Sequence, residues 1–185
     1  MEWTIPGTVL TGTRSDVEAS IRQIEGMFLG GGMIRSQLSA VSGVEAHDIQ
    51  NWVKRGFLPS PVNKRYSCNQ FCRIVIINML RSAMPMEQIC SLLVYINGQL
   101  DDESDDLIDD TVLYFVFLRL AARARDISGQ ERWDEALEDV LCDYPEPIPG
   151  AKERIARVLR IMLTAWFGVQ LIRRAEQMLA ELKEF

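Results

Sequence analysis

Histidine occurs once in the 185 residues, as His47, and no cysteine stands near it in sequence to complete a metal site. A lone imidazole is a poor basis for a metal centre or a general base, and on an exposed helix face it meets solvent or phosphate. Cysteine is also sparse: Cys68, Cys72, Cys90 and Cys142 form no CxxC pair and no secreted-type framework, so free thiols are expected. Cys68 and Cys72 share a helical face at i, i+4, where a thiol serves as a small apolar group. The segment Met1 to Gly12 lacks the basic-then-apolar pattern of a secretory leader. The longest strongly apolar run, Thr111 to Leu118 continuing through Leu120 to Ala122, is interrupted by Arg119 and is too short to span a bilayer. These absences predict a cytoplasmic protein with no membrane partner, and no internal repeat is apparent.

What is present is an ordinary globular composition with an uneven charge map. At 48% hydrophobic residues the chain can bury a real core. Between Met33 and Ser82 stand seven basic residues against two acidic ones, net +5, while the remainder holds 13 basic and 24 acidic residues, net −11. Only one region of the molecule suits a polyanion.

That region has the order of a winged helix-turn-helix. Leu38 and Val41 lie one turn apart in Gln37 to Ser42, which Gly43 terminates. Ala46, Ile49, Trp52 and Val53 then mark one buried helical face, leaving His47, Asp48, Gln50, Asn51, Lys54 and Arg55 on the other. Amides on such a face can pair with adenine edges and cations with guanine or phosphate. Gly56 ends this helix, and Pro59 and Pro61 force an extended loop that closes on Asn63, Lys64, Arg65 and Tyr66. A basic loop directly after a recognition helix can lay its cations on the phosphate backbone. Ser67 and Gln70 form a capping box for the next helix, whose stripe is Phe71, Ile74, Val75 and Asn78. Pro85 stops that helix near Met84 and opens another, docked by Ile89, Leu92 and Leu93.

From Leu38 to Leu93 the sequence resembles the DNA-binding domain of MerR-type regulators. The matches are Leu38, Gly43-Val44, Ile49, Trp52, the Lys54 to Leu58 helix exit, Tyr66-Ser67, Phe71 and Met86-Glu87-Gln88-Ile89, in a spacing that departs only by a shortened wing. The whole chain also resembles an uncharacterised bacterial family, common in low-GC Gram-positive organisms, suspected of transcriptional regulation. The resemblance implies a dimeric regulator that contacts double-stranded DNA through His47, Gln50, Asn51, Lys54, Arg55, Asn63, Lys64, Arg65 and Tyr66. Glu45, His47, Gln50 and Asn51 depart from the residues common in that family, so base preference does not carry over. A small-molecule effector of unknown identity is compatible with the resemblance.

The expected fold class is mainly α: a MerR-like head followed by a helical bundle, with at most a short β wing. Three segments are expected: 1–32, an N-terminal helix over Ser15 to Leu29 with a flexible glycine hinge; 33–96, the DNA-binding domain; and 97–185, a helical effector or dimerisation domain. The last would hold helices over Val112 to Arg125, Glu131 to Cys142 and Ala151 to Lys183, with Tyr144 to Gly150 as a proline-stiffened linker. The helix Val112 to Ala122, apolar nearly all round, would sit at the centre of that bundle. The final helix, with Ile155, Leu159, Met162, Trp166, Val169, Ile172, Leu179 and Leu182 near heptad spacing, suits either its own core or a two-fold interface.

Two other functions compete. One is a protein-binding adaptor on a helix-turn-helix scaffold. The other is a metal-dependent, phosphate-handling enzyme using the run from Asp101 to Asp110, where Asp101, Asp102 and Asp105 spell DDxxD. No second aspartate motif accompanies it, so the expectation is a non-enzyme without catalytic residue, metal or cofactor. An acidic loop favouring the positive end of a helix near Asp109 accounts for the run.

Overall fold

Apolar periodicity resolves into helices almost throughout. The computed structural model describes residues 2–98, 106–124 and 130–182, and within them the fold is mainly helical. A two-stranded antiparallel sheet, β1 (Glu2–Thr4) and β2 (Thr11–Thr13) with Trp3 opposite Gly12, comes first. Then follow α1 (Val17–Gly26), α2 (Arg35–Ser42), α3 (Ala46–Lys54), α4 (Cys68–Leu80), α5 (Met86–Asn97), α6 (Asp110–Arg123), α7 (Gln130–Val140) and α8 (Ala151–Glu181).

Two helices occupy the centre. In α4 every residue from Phe71 to Ile77 is buried, and in α6 every residue from Leu113 to Leu118 is buried. Helices apolar on all sides need neighbours on all sides. They have them: α4 packs on α2, α5, α6 and α8, and α6 packs on α1, α4, α7 and α8. A single hydrophobic cluster therefore runs from Ile5 through Phe71 and Tyr114 to Phe167. Each such side chain removed from water contributes about 1.5–3 kcal/mol.

The N-terminal sheet was not foreseen, and its turn is bonded tightly to the core. Gly7, at φ +77°, sits so close to α4 that an added Cβ would lie 2.2 Å from the Val75 carbonyl oxygen. Asn78 donates through Nδ2 to the carbonyls of Gly7 (3.0 Å) and Ser42 (2.9 Å), and the buried Tyr114 hydroxyl donates to Pro6 (2.6 Å). The sheet is thus joined both to the helix-turn-helix and to α6. Arg14, just beyond β2, donates to the carbonyls of Ala121 (2.7 Å), Ala122 (3.2 Å) and Ala124, closing the C-terminus of α6.

Helix α1 is shorter than the expected Ser15 to Leu29. Asp16 caps it by accepting from Ala19 N–H, and a series of turns follows Gly26. The glycine segment expected as a hinge is held at both ends: Gly31 N–H donates to Phe28, and Met33 pairs with Tyr66. Helix α6 ends at Arg123, and Arg125 lies outside the described residues.

Helix α8 divides in two. Its first part supplies Ile155, Leu159, Met162, Trp166 and Val169 to the core, and Phe167 stacks on Trp133 of α7 at 5.6 Å and 9°. From Leu171 to Leu182 every residue is exposed, so the seam expected to continue through Ile172, Leu179 and Leu182 has no intramolecular partner among the described residues. By length and composition α8 alone among the described helices could cross a membrane. Its buried first half has the character of a core helix.

Candidate nucleic-acid interface

The helix-turn-helix is built from short-range bonds that its sequence dictates. Gly43 adopts φ +72° and ends α2 with its N–H on the Ser39 carbonyl. Ser42 Oγ donates to Leu38 (2.7 Å) and accepts from Val44 N–H (3.1 Å), fixing the turn. Ile49 and Trp52 seat α3 in the core, and Gly56, at φ +72°, releases the chain after it.

Burying that face leaves the other in solvent. His47, Gln50, Asn51, Lys54 and Arg55 are all exposed, as the sequence predicts. His47 Nε2 lies 3.3 Å from Asp48 Oδ1, and Asp48 also accepts from Arg81 Nη1 at 3.3 Å. Arg55 is partly engaged, 3.6 Å from Glu87 and 4.7 Å above the Phe57 ring. Lys54 has no carboxylate partner among the described residues.

The wing is a minimal hairpin. Val62 and Arg65 exchange backbone bonds of 3.1 and 2.9 Å around Asn63 and Lys64, whose φ values are +51° and +62°. Positive φ at both central positions is what a tight hairpin turn requires, and lysine tolerates it poorly. Asn63, Lys64 and Arg65 are exposed. Arg65 Nη1 also donates to the Gly32 carbonyl at 2.8 Å, bracing the wing against the glycine turn.

Tyr66 requires a correction. Expected on the phosphates, it is a core residue with 4% exposure, and its backbone pairs with Met33 by bonds of 2.8 and 3.0 Å. Burial raises its phenol pKa. The alternation of the hairpin turns Arg65 outward and Tyr66 inward, so this aromatic, though next to basic residues, packs in the core.

The charge map needs the same correction. Arg73, counted among the seven cations, is buried against Asp110, and Arg81 is held by Asp48. Arg35, Lys54, Lys64 and Arg65 remain exposed without a carboxylate partner among the described residues. Arg35, at the start of α2, belongs to the +5 cluster but lies outside the recognition-helix and wing segments that mark contacts in sequence.

Below the wing, the capping box at Ser67 forms as expected, with bonds of 2.9 and 3.2 Å to Gln70. Gln70 adds what sequence did not reveal: its Nε2 donates to the carbonyls of Pro59 and Ser60, both at 3.0 Å, pinning the base of the wing to α4. Cys68 and Cys72 lie side by side. A hydrogen bond from Cys72 holds the Cys68 thiol below its usual range, whereas burial drives Cys72 well up.

The acidic run separates into parts. Asp101, Asp102 and Asp105 lie outside the described residues. Asp109 caps α6, accepting from Thr111 N–H (2.7 Å) and Val112 N–H (3.4 Å), and Asp110 faces Arg73. Both carboxylates are structural, and no group of three His, Cys, Asp or Glu suited to a metal occurs among the described residues.

Residues 34–117 match a family model described as a domain of unknown function, DUF1836. The match runs from the residue before α2 into α6, so it contains the helix-turn-helix, the wing and both partners of the Arg73–Asp110 pair. No curated protein and no solved structure matches the chain.

Proposed function

We propose that this protein is a cytoplasmic, DNA-binding transcriptional regulator that inserts α3 into the major groove of duplex DNA. The observation that carries the reading is the division of α3: Ile49 and Trp52 lock it to the core while His47, Gln50, Asn51, Lys54 and Arg55 are exposed to solvent. Gln50 and Asn51 supply amides for base edges, and Lys54, Lys64 and Arg65 supply phosphate contacts. Arg35 joins them as a backbone cation.

So few cations on one copy give weak, salt-sensitive binding, which makes a homodimer the working unit. Exposed Ile161, Ile172, Leu179 and Leu182, together with Ala165, Gly168 and Ala175, alternate at spacings of four and three along α8, the pattern of a two-helix seam. The small residues would allow two helices to approach closely.

Gel shift of the full chain on duplex DNA from its own upstream region, at rising salt, tests the reading. Binding should fall steeply with salt, and Lys64→Ala with Arg65→Ala should weaken it on every sequence. Absent or salt-insensitive binding would favour the adaptor reading instead.

A further inference from the structure

A second cationic site lies away from the wing. Between the N-terminal sheet, the end of α4 and α8 is a cavity of about 670 Å³, lined by Trp3, Arg81, Trp166, Gln170, Arg173 and Arg174 among others. Among the described residues no aspartate or glutamate lines it, in a chain whose net charge is −6. Arg173 and Arg174 have no acidic partner among the described residues. The Trp3 and Trp166 side chains form part of the cavity wall. Three guanidiniums, three side-chain amides and two indoles suit a ligand that combines several negative oxygens with a flat ring. The volume falls within the range of small-molecule sites.

We infer that this cavity is an effector site for a phosphorylated small molecule of nucleotide size, with Arg81, Arg173 and Arg174 holding its phosphates. Arg81 gives the site a route to α3. Its guanidinium lies 3.3 Å from Asp48 and 5.8 Å from the centre of the Trp52 ring, both on that helix. A phosphate taken by Arg81 competes with Asp48, leaving the Asp48 carboxylate unneutralised beside the exposed face. On the DNA-binding reading proposed above, and only there, the ligand lowers affinity for duplex DNA, and DNA lowers affinity for the ligand by the same factor. The cavity face of α8 is opposite its exposed apolar stripe, so a dimer through that stripe leaves the site open.

Calorimetry and tryptophan fluorescence on the full chain, with inorganic pyrophosphate and ADP as probes and without DNA, test the site. Both probes should bind saturably, ADP more tightly, and shift the emission of Trp3 and Trp166. Arg173→Ala with Arg174→Ala, at exposed positions that leave the core untouched, should weaken both about tenfold or more. Heats no greater than those of sodium chloride at equal ionic strength, or equal binding by the double variant, would overturn the site. Weaker duplex binding by that variant without any probe binding would assign the arginines to DNA and also overturn it. Probe binding by a chain that binds no DNA would keep the site and remove the regulator reading. Equal duplex affinity with and without saturating probe would overturn the coupling through Arg81.

Discussion

Arg73 of α4 and Asp110 of α6, thirty-seven residues apart, meet at 2.9 Å with side-chain exposures of only 9% and 7%. Arg73 Nε also donates to the Phe57 carbonyl at 3.1 Å, and Asn97 Nδ2 donates to Asp110 at 3.4 Å. One buried pair therefore joins the exit of the recognition helix, the core helix below it, the end of α5 and the first turn of α6.

Removing either partner leaves a buried charge without its counterion. Arg73→Ala or Asp110→Ala should each lower stability by about 3–5 kcal/mol in urea denaturation. Arg73→Met with Asp110→Leu should recover much of that loss, since the penalty lies in the orphaned charge. A loss below about 1 kcal/mol for either single change would mean that the pair is solvated.

Lys64 holds a backbone conformation that costs an L-residue about 1–2 kcal/mol, yet its exposed side chain makes no hydrogen bond or ion pair among the described residues to offset it. Strain kept at an exposed basic tip suits a contact residue. Lys64→Gly should leave stability unchanged or raised by up to about 1 kcal/mol while weakening duplex binding. Thermal melting and gel shift on the same preparation check the two effects. Lower stability with intact binding would contradict the assignment.

The parts legible in sequence are those fixed by near neighbours. Gly43 and Gly56 mark the ends of helices, Ile49 and Trp52 mark the buried face of α3, and Ser67 with Gln70 announces α4. Less legible were features settled by distant partners. Strands of three residues carry almost no alternation, so the β1–β2 sheet left no signal. Arg73 reads as one more surface cation until Asp110 is placed against it, and Tyr66 reads as exposed until the hairpin fixes which way it turns. Asn78 was recognised as part of the α4 stripe, but not as the donor that joins Gly7 to Ser42.

The Glu18–Arg119 pair ties α1 to α6 by bonds of 2.6 and 3.0 Å. The hydrogen bond from Arg119 lowers the Glu18 pKa, against a smaller opposing effect of burial. A depressed carboxyl pKa contributes stability that is present above its unfolded value and lost as pH falls through its folded value. Because both side chains are over a third exposed, the contribution is under about 1 kcal/mol. Glu18→Gln should be slightly less stable than the parent at neutral pH, with the difference vanishing as the medium becomes acidic enough to protonate Glu18. A difference that persists or grows in acid would contradict the sign.

The exposed end of α8 should decide the assembly. Ile172→Glu with Leu179→Glu places charges in the proposed seam without touching the core, since both positions are more than half exposed. Sedimentation should show a dimer for the parent and a monomer for the variant, with little change in helix content. A parent that remains monomeric at high concentration would exclude this seam, and duplex affinity should then be no lower in the variant.

The central claim is that α3 reads bases while the wing holds phosphates. Selection of bound duplexes from a random pool, followed by anisotropy on selected and scrambled sites, measures it most directly. Gln50→Ala or Asn51→Ala should lose about 1–3 kcal/mol on the selected site and little on the scrambled one, whereas Lys64→Ala should weaken both alike and make binding less salt-dependent. A pool that enriches no sequence, or a selected site bound equally well by the Gln50 and Asn51 variants, would contradict it.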